Sequence, residues 1–300
     1  MKAVNEKYGR VEKSDGTVVY ALDWRKPETQ SIYWGLVGLK RCRHNPSKEN
    51  DLRKLERIIF QSMMYSFDRG RLQPPSGRAF HPEEYFNRLH VLPNLDLTGK
   101  THQAYIDMTK LANRERNANT SGTYEIAHMN FLRRVVEWNY YYNREEEAVK
   151  WLKVALKTFP VKMTYFTGYN EEKDTYDLDK FVLHRLKDAV SRGGIDKTVA
   201  ILIGLLIRHF THLALGEEEK AVKYLNMAED LHKRYSDRFS TAAENRVPLP
   251  PFQKVRIDRL RAYLLEENPV MTARLRTVMG LKKDELPEDL GFEGPQPKPE

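Results

Sequence analysis

The sequence predicts an all-α protein, an irregular array of antiparallel helical hairpins behind a short N-terminal extended arm or hairpin. Three observations predict this fold. Apolar residues recur at helical spacing from Pro27 onward. Two segments with nearly the same helical pattern begin at Ala148 and Ala221, 73 residues apart. A Ser-Asp-Gly turn signal at 14–16 precedes a β-branched run, which is typical of a hairpin or extended arm.

Three regions follow from this pattern: an arm or hairpin at 1–26, a helical-repeat domain at 27–283 and an acidic, proline-rich tail at 284–300. Within the helical domain, the segments 28–41 and 52–67 predict a first helical hairpin, with Gly70 as the stop of its second helix. A polar, proline-marked stretch at 71–99 predicts an insertion that holds one short helix at 83–89. The tail is expected to be disordered.

The region 124–160 predicts two consecutive amphipathic helices. In the second, Ala148 and Ala155 are small enough for a neighbouring helix to approach closely, Leu152 lies between them, and Pro160 ends the unit. This spacing resembles the second half of a tetratricopeptide repeat. The first helix departs from that pattern, because Leu132 stands at the usual aromatic position and Val136 where a small residue is expected.

The same pattern recurs as Ala221-Val-Lys-Tyr-Leu225-Asn-Met-Ala228, again after an acidic run. The helix at 199–215 would be its partner, with Gly216 at the turn. Chance similarity between two amphipathic helices is the competing explanation, but the shared order of residues favours a true repeat. The resemblance therefore implies a tetratricopeptide-like α-solenoid, interrupted and irregular.

The N-terminal text, including Leu22-Asp-Trp-Arg25 and Ile32-Tyr-Trp-Gly35, also resembles a group of uncharacterised bacterial helical-repeat proteins. The resemblance covers roughly the first 70 residues. Longer members of that group carry a membrane anchor and further helices upstream. The resemblance thus implies that this chain is the C-terminal part of a longer, anchored protein.

Charge and cysteine content suggest where the chain works. Its net charge is +8, and the excess of basic residues lies in the N-terminal half. The single cysteine, Cys42, excludes an internal disulfide and favours a reducing compartment. The N-terminus lacks the apolar core of a signal peptide, and the longest apolar run, 199–207, is too short to span a bilayer. We therefore expect a cytoplasmic chain without a membrane span of its own, tethered to a membrane if an upstream anchor exists.

No motif predicts catalysis, a cofactor or a metal. The sequence has no glycine-rich phosphate loop, no nucleophile elbow and no His-Glu-x-x-His. His209 and His212 have a spacing that would let them share a metal, but Glu217 to Glu219 lie beyond the following turn and no acid completes the site. A packed or surface histidine pair is the favoured interpretation, and we expect a protein that is not an enzyme.

The aromatic run at 138–142 is the best candidate for a binding surface, because neighbouring residues on a helix point about 100° apart and cannot all face one core. Two functions remain open. The favoured one is a non-catalytic scaffold that binds an unknown protein or peptide. The alternative is a nucleic-acid-binding protein that uses its basic N-terminal half. The candidate contacts for the scaffold are Trp138, Tyr141, Arg133, Arg134 and Lys150.

Overall fold

The computed structural model of the chain describes residues 1–13, 15–42, 49–73, 90–114, 118–160, 177–179, 181–182, 186, 195–241, 248–266, 268–283 and 285. These residues are mostly helical, with a few short strands, which confirms the all-α prediction in its coarse form. The chain divides into two compact units. Unit 1 holds residues 1–72, 91–139 and 146–166, and unit 2 holds 73–90, 140–145 and 167–300.

The elements of the N-terminal half begin with a short helix and end with α4. In chain order they are α1 (Lys2–Val4), a π-helical turn (Asn5–Gly9), β1 (Arg10–Glu12), β2 (Val18–Tyr20), α2 (Pro27–Cys42), α3 (Glu49–Arg69), β3 (Arg71–Gln73), β4 (His90–Leu92), a 3-10 turn (Leu95–Leu97) and α4 (Thr98–Arg114). The remaining helices are α5 (Ala118–Tyr141), α6 (Glu145–Thr158), α7 (Ile195–Ala214), α8 (Glu218–Thr241), α9 (Phe252–Glu266) and α10 (Pro269–Met279).

The predicted N-terminal arm is a hairpin. Strands β1 and β2 pair antiparallel, with Arg10 opposite Tyr20. Gly16 lies in the turn with a φ of 80°, a conformation that glycine adopts without a steric penalty. The Asp15 carboxylate accepts a hydrogen bond from the backbone N–H of Thr17 at 2.9 Å, as expected of an Asx turn.

The first predicted helical hairpin is present as α2 and α3, which pack against each other. Their close approach depends on two glycines of α2. A Cβ on Gly35 would lie 2.7 Å from Cγ1 of Ile59, and one on Gly38 would lie 2.9 Å from Cδ1 of Leu55. Helix α4 packs on α3 as well, so α3 is the central helix of this part of unit 1.

The region predicted as an insertion, 71–99, is only partly described. Its ends form β3 and β4, which pair as a two-stranded sheet, and the 3-10 turn that leads into α4. The short helix predicted at 83–89 lies outside the described residues, as does nearly all of the tail at 284–300.

Two helical hairpins match each other in register at the 73-residue offset. Helices α5 and α7 end at Tyr141 and Ala214, and helices α6 and α8 begin at Glu145 and Glu218. The turns also correspond, because Asn143 and Gly216 have φ values of 58° and 76°. In both turns the N–H of that residue donates to the carbonyl three residues earlier. The correspondence of the two segments therefore extends from side chains to the backbone of their turns.

Helix α7 is the core of unit 2 and packs against α8, α9 and α10. Its Gly204 lies against the backbone of Tyr141, since a Cβ there would be 2.9 Å from the Tyr141 carbonyl oxygen. Among the described residues, α7 is the one helix long and apolar enough to cross a membrane by length and composition. In its most apolar 18-residue window, 78% of the residues are buried within the protein, as in a core helix.

Helix α10 has the termini that its sequence predicts. The side chain of Asn268 accepts a hydrogen bond from the N–H of Val270 at 2.8 Å, and Pro269 occupies the first turn. Gly280 ends the helix with a left-handed φ of 69°.

Candidate functional site

Three of the five residues proposed from sequence as partner contacts are buried. Trp138, Tyr141 and Arg133 expose 6%, 1% and 6% of their surface. The run from Phe131 to Tyr141 is buried almost throughout, because this part of α5 is covered on most sides rather than on one. An aromatic run can therefore be buried although its members point in different directions.

The other two proposed contacts reach the surface. Arg134 is half-buried and its Nη1 donates to the Asp68 carboxylate at 3.0 Å. Lys150 is exposed on α6 and pairs with Glu147 at 2.9 Å. No printed contact joins the five residues into one surface, and their role as partner contacts stays a prediction.

Unit 1 contains a groove with a volume of about 520 Å³, within the range of protein ligand sites. Four elements line it: the N-terminal helical turn, α2, α3 and α4. Its apolar lining residues are Ala3, Tyr8, Leu36, Leu39, Ile59, Phe60, Ala104, Met108 and Leu111. Ile59 belongs to the hydrophobic core of this unit, and Tyr8, Leu36, Leu39 and Ala104 pack against that core. The groove is thus an opening onto the core.

Five charged residues line the same groove: Lys7, Lys40, Lys110, Glu56 and Asp107. The Asp107 carboxylate already accepts a hydrogen bond from Gln103 at 2.8 Å, and Glu56 is engaged within the protein. None of the three lysines forms an ion pair with a carboxylate among the described residues; Lys7 lies instead 4.9 Å from the ring centroid of Tyr8. The groove therefore combines an apolar lining with ammonium groups that remain available.

A pair of buried histidines joins α4 to α5 in unit 1. Nε2 of His128 lies 2.8 Å from Nδ1 of His102, so one ring donates and the other accepts. The ring of Tyr105 stacks on His128 with a centroid distance of 5.1 Å, and Trp151 of α6 contacts His102 edge-on at 5.3 Å. Phe159 covers His128 from another side at 5.4 Å.

This aromatic environment disfavours charge on the pair. Burial and the charge of His102 together lower the pKa of His128 to about 4. Burial also lowers the pKa of His102. The pKa of Tyr105 rises to about 12, again mainly because burial disfavours the phenolate. The two imidazoles are therefore neutral at physiological pH.

Unit 2 has a different buried cluster, centred on Arg208 of α7. This guanidinium is fully buried between the rings of Tyr140 and Tyr224, with centroid distances of 4.2 and 4.0 Å. It donates hydrogen bonds to the Tyr140 carbonyl, the Tyr224 hydroxyl and the Glu145 carboxylate. The cation is thus paired and hydrogen-bonded, as a buried charge needs to be.

Asp179 extends the arginine cluster toward the surface. It accepts hydrogen bonds from the Tyr140 hydroxyl and, at 2.5 Å, from the ammonium of Lys223. Burial and the bond to Asp179 raise the pKa of Tyr140 well above its usual range. Burial by itself would raise the pKa of Asp179, but the bonds from Lys223 and Tyr140 outweigh it, and the pKa is lowered.

The histidines of α7 are anchored to α8 and its preceding turn. Nδ1 of His209 lies 2.8 Å from the Ala221 carbonyl, and Nδ1 of His212 lies 2.5 Å from the Glu217 carboxylate. The expectation that Glu217 is out of reach beyond the turn was wrong, since its side chain folds back onto the helix end. Within the described parts of the chain, no group of three or more His, Cys, Asp or Glu side chains could hold a metal ion.

The groove and the arginine cluster were both missed by sequence reasoning. Leu36, Leu39 and Lys40 are spaced like any amphipathic helix, and only the packing of four distant elements turns them into a groove. Arg208 is a charged residue next to a long apolar run, and that placement was the one signal for a buried cation.

Comparison of the chain with family models, with curated proteins and with solved structures gave no match.

Proposed function

We propose that the protein is a non-catalytic binding module and that the groove of unit 1 holds an amphipathic, acidic segment of a partner protein. The segment would place its apolar side chains on the lining and its carboxylates toward Lys7, Lys40 and Lys110. The observation that carries the proposal is the combination of an apolar groove with three lysines that no described carboxylate neutralises.

The apolar lining supplies the affinity in this proposal. Leu36, Leu39 and Leu111 remain partly exposed although they adjoin the buried core. Covering apolar surface contributes about 25 cal/mol for each Å² removed from water. A helix with apolar residues three and four positions apart suits such a groove, as in other helix-in-groove complexes.

The lysines supply orientation and selectivity. Ammonium groups at the edge of a binding site favour carboxylates nearby and raise the association rate more than the affinity. The alternative partner, a nucleic acid, would use the lysines but not the apolar lining, because its backbone presents phosphate and sugar. The lining therefore favours a peptide.

We also propose that the two matched hairpins belong to a tetratricopeptide-like array. Small residues at corresponding positions support this arrangement, because Ala148 and Ala155 of α6 and Ala221 and Ala228 of α8 are all buried. Stacked hairpin arrays usually bind partners along an extended face, which agrees with a scaffold role. A cytoplasmic location, with a tether if an upstream anchor exists, remains part of the same proposal.

The test uses a fluorescein-labelled synthetic peptide of about 16 residues, with leucine at every third or fourth position and glutamate between, long enough to form a helix on binding. Fluorescence anisotropy with the full chain should show saturable binding. A peptide of the same composition with its leucines scattered should bind at least about tenfold more weakly, because it cannot present one apolar face.

Charge reversal locates the site. Lys40→Glu and Lys110→Glu should each weaken binding about tenfold, since an attraction becomes a repulsion at the edge of the groove. The matched control is Lys150→Glu, an exposed lysine of unit 1 outside the groove. If Lys150→Glu weakens binding and the groove variants do not, the segment binds on the α6 surface and the groove assignment is wrong. Binding of a generic single-stranded RNA in preference to both peptides would favour the nucleic-acid alternative.

A further inference from the structure

We propose that the His102–His128 pair makes the groove pH-dependent, so that mild acid breaks the hydrogen bond between the two rings and releases the bound segment. This inference rests on the proposed function, because it concerns the regulation of the same groove. It adds a physical condition for release that the groove residues themselves do not supply.

The geometry of the pair allows only one proton between the rings. Nε2 of His128 and Nδ1 of His102 are 2.8 Å apart, so one nitrogen must be an unprotonated acceptor. If both nitrogens carry protons, two donors face each other at that distance. The bond then becomes a repulsion, and the rings must separate.

The surroundings offer no compensation for charge. The rings that face the pair are Tyr105 from α4, Phe131 from α5, Trp151 from α6 and Phe159 just after α6. Of these, only Tyr105 titrates, and it stays neutral far above the relevant pH. The nearest charges, Arg134 and Asp68, act on Tyr105, whereas the one charge that acts on His128 is that of His102.

Helix α4 connects the pair to the groove. One face of α4 carries His102 and Tyr105, and the adjoining face carries Ala104, Met108 and Leu111 of the groove lining. When the pair separates, α4 loses its hydrogen bond to α5 and its stacking on His128. A shift of α4 displaces one wall of the groove, because that wall consists of α4 side chains.

Linkage sets the size of the effect. His128 has a pKa of about 4 in the closed pair and would return to about 6.5 in an opened, hydrated state. The closed state is favoured fully above pH about 6.5 and loses that preference as the pH falls toward 4. Between pH 7.5 and 5.5, opening gains about tenfold.

The experiment measures the affinity of the leucine–glutamate peptide at pH 7.5 and pH 5.5. We expect binding to weaken about tenfold at pH 5.5, where the peptide carboxylates are still mostly ionised. His128→Phe fills the aromatic enclosure without a titratable group and should make the affinity independent of pH over this range. His102→Gln, which keeps an amide beside His128, should reduce the dependence as well. Equal affinities of the wild-type chain at both pH values, or an unchanged dependence in both variants, would overturn the proposal.

A second measurement does not need the peptide. Protonated imidazole quenches tryptophan fluorescence, and Trp151 touches His102. The wild-type chain should lose fluorescence between pH 6.5 and 5, Trp151→Phe should abolish that loss, and amide exchange in α4 should accelerate over the same interval. If the peptide fails to bind at pH 7.5 while these changes occur, the groove function is wrong and the histidine switch stands. If binding occurs without them, the switch is wrong.

Discussion

The two matched hairpins share a backbone frame but not an interior. In α5–α6 the positions facing inward near the turn include Val135 and Val136. At the same offset, α7 places Arg208 and His209, which are equally buried. One hairpin is thus closed by aliphatic packing, and the other by a cation held between two tyrosines.

The difference shows that helix lengths, turn conformation and small-residue positions determine the hairpin, while its interior tolerates opposite chemistry. Trp151 and Tyr224 occupy corresponding positions on α6 and α8. Trp151 contacts a neutral histidine, whereas Tyr224 stacks on Arg208 and donates no room to water. Each interior is consistent only as a set, so exchanging single residues between the hairpins should be costly.

The largest expected effect is that of Val135→Arg. This change places a charge at a fully buried position whose counterpart has a carboxylate and two tyrosines that this site lacks. We expect the free energy of unfolding to fall by about 4 kcal/mol or more. Urea unfolding followed by circular dichroism measures it, and Ile126→Arg at an exposed position of α5 is the control. A loss below about 1 kcal/mol would show that the two interiors are interchangeable.

Arg208→Val, the reciprocal change, should cost less. It removes the stacking between Tyr140 and Tyr224 and leaves a cavity, but Glu145 is half-exposed and can be hydrated. We expect a loss of about 2–4 kcal/mol by urea unfolding, typical of large-to-small changes in a core. The matched control is Arg234→Val on the exposed face of α8, expected to stay within about 0.5 kcal/mol. A stabilised Arg208→Val chain would mean that the buried cation opposes folding.

The smallest effects are expected at the turns. Asn143→Gly should raise the free energy of unfolding by about 0.5–1 kcal/mol, because glycine adopts positive φ with less strain. Gly216→Asn should lower it by a similar amount. Thermal denaturation detects both changes, and shifts of the same sign in the two variants would contradict the equivalence of the turns.

Much of this frame could be predicted from the sequence. The helix-ending Pro160 and the left-handed Gly216 and Gly280 act locally, so the helical hairpins and the last helix follow from nearby residues. The N-terminal hairpin follows from its Asp-Gly turn in the same way. The repeat offset is also visible, because small and aromatic residues recur in one order.

The candidate site could not be predicted, because it depends on contacts between distant segments. Lys7 and Lys110 are about a hundred residues apart in sequence and meet only where the N-terminal turn and α4 line one groove. Burial of Trp138 depends on how many neighbours cover α5, which its own periodicity does not contain. Reach across a turn, as from Glu217 to His212, depends on the helix end rather than on sequence spacing.

The central claim is that the groove of unit 1 selects carboxylates through its lysines while its lining holds apolar side chains. A charge-exchange titration tests it most directly. The double variant Lys40→Glu, Lys110→Glu is titrated with a peptide in which every glutamate is replaced by lysine. The account predicts that this pair binds better than either mismatched pair, with affinity restored to within about threefold of the original. Weak binding of the basic peptide to the variant, with the acidic peptide unaffected, would contradict it.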